Sequence, residues 1–303
     1  MRTALWSLLA VLSVTLAGCT LPAAASPTPF TFPTPNLTLT VIFSPTATET
    51  PVAPTLPPLL PSPTPESSPS PVAPLPAVTP TASPIPPSGA RQGGPVVAAA
   101  RLTTPPTIDG NVAEWTTPSY LIDRCTFGCG SWSGIDDAYA IYYLGWDAEA
   151  LYVAVKTSDD RHVQSSTGSR LYRGDSVEIQ FDANLAADFR QTSLSGDDFQ
   201  IGFSPGDFAS RTPEVYRWHP TGIAGPSSQM LVRAQETDDG YMLEARVPWS
   251  QLGVSPATGV MYGFAISISD NDAAGTAQQQ SLVSNAPARE LFDPTTWGTM
   301  ILQ

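Results

Sequence analysis

Residues 176–182, Ser-Val-Glu-Ile-Gln-Phe-Asp, alternate strictly between polar and apolar side chains. A period of two fits a β-strand and not a helix. Val177, Ile179 and Phe181 fall on one face, and Ser176, Glu178, Gln180 and Asp182 on the other. The polar face carries two carboxylates and an amide. The pattern predicts a half-buried strand whose polar face is either plain solvated surface or a floor that hydrogen-bonds a polar ligand. Tyr172, just upstream, is placed to add a stacking ring to such a floor.

Short runs of the same kind fill residues 96–303. Strands are predicted at 96–102, 140–146, 151–156, 199–203, 230–234, 241–247, 261–269 and 297–302. Turn signals separate them: Asp109-Gly110-Asn111, Asp147-Ala148-Glu149-Ala150 and Asp270-Asn271-Asp272. Residues 250–253 read as a single helical turn. Long helical periodicity is absent, so the expectation is an all-β fold, an antiparallel β-sandwich of jelly-roll or immunoglobulin-like type. About 200 residues suffice for one domain with a sizeable core.

The N-terminal part is of another kind. Met1-Arg2, an apolar run over 4–17 and Leu16-Ala17-Gly18-Cys19 read as an export signal, too short to span a membrane stably as a helix. The ending resembles the bacterial lipoprotein box, which implies cleavage before Cys19 and lipidation of its thiol. Residues 1–19 are therefore read as a lipoprotein signal peptide. Residues 20–95 hold most of the chain's 33 prolines, with Thr, Ser and Ala; their only charges are Glu49, Glu66 and Arg91. Such a composition buries too little apolar surface to order itself and predicts a disordered linker. Stretched as polyproline II, it would reach on the order of 200 Å. The expected location is the outer side of a cell membrane, extracellular or periplasmic, with the domain displayed at a distance from its lipid anchor.

The formal net charge of −13 sits almost wholly beyond residue 95. An acidic surface repels phosphate backbones, which argues against nucleic acid as a partner. Of the 3 cysteines, Cys125 and Cys129 remain after Cys19; in an exported chain this spacing suggests a local disulfide pinning one loop.

The ordered set of segments resembles family 9 carbohydrate-binding modules. The resemblance rests on Ile108-Asp109-Gly110 with Glu114-Trp115, Trp146-Asp147 with Leu151-Tyr152-Val153 and Asp159-Asp160, and Asp175-Ser176-Val177-Glu178-Ile179 with Asp182. Tyr241, Glu244-Ala245, Val247-Pro248-Trp249, Leu252-Gly253, Asp270-Asn271-Asp272 and Trp297-Gly298 complete it. It implies a DOMON-like β-sandwich that clamps a sugar between two aromatic rings, found attached to xylanases and other exported proteins. Tyr172 stands where the family has a stacking Trp, and Glu178 where it has a carboxylate that takes sugar hydroxyls. Gln200 is placed to add an amide donor, although the family's basic residue is missing there. The second ring belongs to the loop after Asp272, yet residues 273–285 hold no aromatic; Asn285 offers a polar contact.

Trp132 and Trp218, read as lying outside strands, are the candidates for the missing ring, or else loop tryptophans covering the sandwich edge. Trp115, Trp146, Trp249 and Trp297 are read as core. Asp159, Asp160, Asp270 and Asp272 are candidate ligands for structural calcium, the alternative being solvated turn acids. Glu178 and Asp182 lie four residues apart on one strand face, roughly 13 Å by strand rise, which suits neither glycosidase geometry. No G-x-S-x-G, H-E-x-x-H or phosphate-loop motif is present. The expectation is a non-catalytic module that captures a xylan- or cellulose-like glycan or another polysaccharide, associated with glycoside hydrolases. The alternatives are a spacer or adhesion domain with an emptied site, and an exported haem-binding sandwich using His162, His219, Met230, Met242 or Met261 as ligands.

Overall fold

The computed structural model describes residues 89–91 and 93–303. The signal peptide, Cys19 and nearly all of the predicted linker lie outside the described residues. Within the stretch read as linker, Ala90 and Arg91 are buried against the domain.

Among the described residues fourteen strands form the fold: β1 Val96–Arg101, β2 Ser119–Ile122, β3 Arg124–Phe127, β4 Ala138–Trp146, β5 Ala150–Asp159, β6 Ser176–Asp182 and β7 Asp198–Ser204. Then come β8 Glu214–His219, β9 Gly225–Pro226, β10 Leu231–Thr237, β11 Gly240–Pro248, β12 Met261–Asp270, β13 Ser281–Ser284 and β14 Gly298–Leu302. One layer runs β10-β11-β5-β4, with β2 on β4; the other runs β14-β12-β6-β7-β8-β9, with β13 on β12 and β3 on β13. Among the described residues the one α-helical turn, α1, is Trp249–Leu252.

The all-β expectation holds, but the pairing is mixed rather than purely antiparallel. β1 runs parallel to both of its neighbours. Its first half pairs with β14, Val97 against Met300, and its second half with β4, Arg101 against Trp146. Parallel neighbours need long connections. β1 has them, because it enters beside the last strand of the domain. By switching layers along its length, it curls the two sheets into one continuous ladder.

The alternating apolar faces meet between the layers. Val177, Ile179 and Phe181 of β6 and Phe264 and Ile266 of β12 lie opposite Tyr142 and Leu144 of β4 and Val153 and Val155 of β5, all of them sealed from solvent. The rings of Tyr142 and Phe264 bridge the layers at 6.5 Å, and Phe181 packs on Tyr262 at 4.8 Å. Trp146, Trp249 and Trp297 are buried, whereas Trp115 is half-buried and donates from Nε1 to Glu244 Oε1 at 2.7 Å.

The polar face of β6 departs from the expected half-burial. Ser176, Glu178, Gln180 and Asp182 are all at most 5% exposed. Two features cover them. Arg91 lies over Asp182, with Nη1 2.7 Å from Oδ2. Residues 285–297, between β13 and β14, fold back across the sheet, anchored by Trp297 packing with Ala265 and Ala286. The result is a sheet with an apolar inner face and a buried polar outer face, and the site is built on the latter.

Candidate functional site

A cleft of about 650 Å3 opens on the outer face of the second layer. Its floor starts at Glu178. The β6–β7 register sets Glu178 opposite Gly202 and Gln180 opposite Gln200. Gln200 therefore reaches across and donates from Nε2 to Glu178 Oε2 at 3.0 Å. Gln180 and Arg289 both donate to the other carboxylate oxygen, and Arg289 Nε also donates to Gln180 Oε1 at 3.1 Å. Four side chains thus hold one another rigidly, and the Glu178–Arg289 ion pair is almost wholly buried. Burial pulls Arg289 below the usual guanidinium range, and the Glu178 carboxylate pushes it back up. Charge-assisted hydrogen bonds of this kind are strong and directional, and the network offers both donors and acceptors to a ligand in the cleft.

One wall is aromatic. Tyr172 sits in the 3-10 turn Gly168–Arg173, which Gln164 ties down by donating from Nε2 to the Leu171 and Asp175 carbonyls at 3.0 and 2.9 Å. Its ring meets Trp218 edge-on at 6.1 Å and 75°. Arg173 lies over the same ring, 5.8 Å from its centroid. Trp218 Nε1 donates to Ser169 O at 3.0 Å, so the indole is fixed from both sides. Trp218 belongs to β8, not to a loop as expected from sequence; its strand carries little alternation outside Val215 and Arg217. His219 and Leu194 also line the cleft.

Two sequence candidates are not brought there. Trp132 packs against the core from the Gly-rich loop and donates from Nε1 to Ala138 O at 2.9 Å, which makes it an edge cover. Asn285 points inward. Its Oδ1 accepts from Ile266 N at 3.0 Å and its Nδ2 donates to Tyr142 OH at 2.8 Å, stitching the two layers. Several cleft residues were missed from sequence, among them Arg289, which supplies a positive charge, and Phe127 and Phe292. None of these three lies in an alternating run, so no periodic signal marks them.

Of the haem candidates, His162 and His219 each engage a backbone carbonyl through Nε2, that of Gly206 at 2.8 Å and of Ser195 at 2.7 Å. Met230 is buried in the core.

A separate acidic cluster forms where β5 and β12 end and β4 begins. One carboxylate oxygen each from Asp159, Asp270 and Asp272 lie within 4.8 Å of one another, and Asp137, Asp160 and Asp272 form a second such group. Asp137 was not foreseen. Burial, then mutual repulsion, pushes Asp270 up to about 6 and Asp272 up to about 7. Burial and the Asp175 charge push Asp159 up to about 7. Asp270 is 2% exposed; its Oδ2 accepts from Ser281 Oγ at 2.8 Å, but its Oδ1 has no hydrogen-bond partner. A buried carboxylate oxygen without a donor is costly, and a hard cation bound by oxygens would satisfy it. The residues present therefore fit calcium.

The match of known families decides the kinship. The family described as "Carbohydrate family 9 binding domain-like" matches residues 108–303. The chain belongs to this family. Its sequence is 26% identical over 211 residues to Endo-1,4-beta-xylanase A of Thermotoga neapolitana, covering 69% of this chain and 18% of that enzyme. It is likewise 26% identical over 170 residues to Endo-1,4-beta-xylanase A of Thermoanaerobacterium saccharolyticum, covering 56% and 13%. The chain thus spans less than a fifth of the length of these relatives. In three dimensions it is similar to a family 9 carbohydrate binding module from Caldicellulosiruptor kristjanssonii in complex with cellotriose. The TM-score is 0.53 at 22% identity, covering 69% of this chain and 94% of that one. The glucose complex of that module gives the same TM-score and identity, with 96% of its chain covered. These structures share the family 9 fold seen here.

Proposed function

We propose that this family 9 protein is a non-catalytic carbohydrate-binding protein that captures extracellular oligo- or polysaccharide of the cellulose or xylan type. The observation that carries the reading is the Glu178–Gln180–Gln200–Arg289 network set beneath the Tyr172–Trp218 wall. A pyranose has apolar C–H faces and hydroxyl edges. An aromatic ring takes the face, and a carboxylate with amide and guanidinium neighbours takes the edge. The related module's complexes with cellotriose and glucose make these the natural first probes.

Calcium is proposed as a structural ion held by Asp159, Asp270 and Asp272, with Asp137 and Asp160 alongside. It would neutralise the cluster at the strand ends and supply no chemistry to the sugar. Lipidation at Cys19 and display on the 20–95 linker outside a cell membrane complete the proposal, supported by the sequence pattern alone.

The test is calorimetric titration of the protein with cellotriose, glucose and a panel of soluble glycans, alongside pull-down on insoluble cellulose and xylan. Retention on one glycan class, lost in Tyr172→Ala, supports the reading. Equal behaviour of wild type and Tyr172→Ala on every glycan overturns the site. Release of reducing sugar from any of them overturns the non-catalytic assignment.

A further inference from the structure

The Tyr172 wall needs an opposite side. A ring stacked on one aromatic remains open to water on its other face. The loop after Asp272, residues 273–285, holds no aromatic, and Trp132 and Asn285 face elsewhere.

Strand order sets β3, with Phe127, on one side of the Glu178 strand and β8, with Trp218, on the other; Phe127 lines the same cleft, and so does Phe292 from the loop before β14. Phe127 is 53% exposed and Phe292 68% exposed. A single exposed apolar side chain means little. Two exposed benzyl groups beside a buried ionic floor make an amphipathic pocket.

Phe127 is held unusually firmly for an exposed residue. It ends β3, which pairs only with β13 among the described strands, Phe127 against Leu282 and Cys125 against Val283. Cys125 and Cys129 are joined by a disulfide, closing a five-residue ring with Phe127 at its centre. Gly128 follows in the left-handed region at φ +65°, and a Cβ there would stand 1.9 Å from the Gln280 carbonyl oxygen. Only glycine allows this loop to press against β13. Phe292 sits at the tip of a tight turn closed by the Glu290–Asp293 bridge, and Trp297 Nε1 holds that turn by donating to Glu290 O at 3.0 Å.

We infer that Phe127 supplies the second aromatic wall for the sugar, with Phe292 at its rim, and that the Cys125–Cys129 disulfide is a positioning device for Phe127. The inference rests on the carbohydrate reading above. It makes affinity depend on an oxidised loop: Cys129 is exposed, within reach of a thiol reductant. In a fold this size, a ring closed over five residues constrains the unfolded chain little, so its effect on binding should exceed its effect on stability.

The experiment is calorimetric titration with cellotriose of the full protein and of Phe127→Ala, Phe127→Leu, Phe127→Trp, Phe292→Ala and the Cys125→Ser/Cys129→Ser double variant, with Tyr172→Ala in parallel. Phe127→Ala should weaken binding about tenfold, in line with loss of one aromatic anchor. Phe127→Leu should fall with it and Phe127→Trp should bind at least as well as wild type, which separates ring stacking from simple apolar cover. Phe292→Ala should lose about threefold. The cysteine variant should weaken binding several-fold with its thermal midpoint nearly unchanged, and Phe127→Ala should cost less in that background, the mark of coupled residues. If Phe127→Ala binds as wild type while Tyr172→Ala does not, the second-wall assignment fails and the carbohydrate reading stands. If the cysteine variant binds as wild type, the positioning role fails. If wild type binds neither cellotriose nor any glycan of the panel, both readings fall together.

Discussion

The indole of Trp218 lies directly on the backbone of Gly202: a Cβ built there would come within 2.3 Å of the ring. Gly202 is paired with Glu178 across β6 and β7. One missing side chain thus lets an aromatic wall stand beside the carboxylate that forms the floor. Gly202→Ala should push Trp218 off the sheet and cost about 1–3 kcal/mol by overpacking. Cellotriose affinity should drop roughly tenfold with Trp218 and Tyr172 displaced. Calorimetric titration with near-ultraviolet circular dichroism checks this. An unchanged aromatic signal with unchanged affinity would show that the ring does not depend on the glycine.

Among the described residues Arg289 is the one guanidinium that lines the cleft, and it is buried with its partner Glu178. Removing one member of such a pair leaves the other charge without compensation. Arg289→Ala should destabilise the domain by about 3–5 kcal/mol, and Glu178→Gln comparably, because the amide keeps the shape but leaves the Arg289 charge unpaired and turns an NH2 toward a donor that the carboxylate accepts from. Urea unfolding measures both. Equal, small losses would mean the pair is hydrated in solution.

Asn285 separates structure from binding. Its amide joins Ile266 of one layer to Tyr142 of the other, and both contacts are buried. Asn285→Ala should cost about 1–3 kcal/mol of stability by leaving these groups unsatisfied. Its cellotriose affinity should equal that of wild type at a temperature where both are folded. A selective loss of binding would return Asn285 to the site.

The acidic cluster predicts how stability follows pH. Asp159 and Asp272 are raised to about 7 and Asp270 to about 6 in the folded, metal-free domain. In the unfolded chain they ionise near about 4. As pH rises between these values, the unfolded chain loses protons first, so the metal-free domain is most stable on the acid side of the window and loses stability up to about pH 7. Calcium binds the ionised carboxylates and should reverse the trend. Calorimetric melting with calcium or a chelator should show a larger calcium effect near about pH 7.5 than near about pH 5. The same small effect at both would argue against a calcium site.

Much of the fold was legible because alternation is a local property. The runs around Val177, Val153, Leu243 and Ile266 each declare a strand and its inner face without reference to any other residue. Strands β2, β3, β8, β9 and β13 escaped notice. They are short or edge-like, and their residues are chosen by neighbours rather than by a repeating pattern. The parallel pairing of β1 was invisible for a related reason: nothing in Val96–Arg101 encodes whether its partner runs with it or against it.

The site divides along the same line. By itself the sequence determined an all-β domain and a polar strand face bearing Glu178, and it placed Tyr172 and Gln200 nearby, since these come from adjoining segments and follow from strand period and proximity. Only the tertiary structure decided that this face is buried. It brought Arg289 onto Glu178 from 111 residues away, turned Asn285 inward, and set Phe127 and Phe292 along the same cleft. Those outcomes depend on register and on how a long loop folds over a sheet. Both are fixed by many distant contacts acting together, and no single stretch of chain carries them.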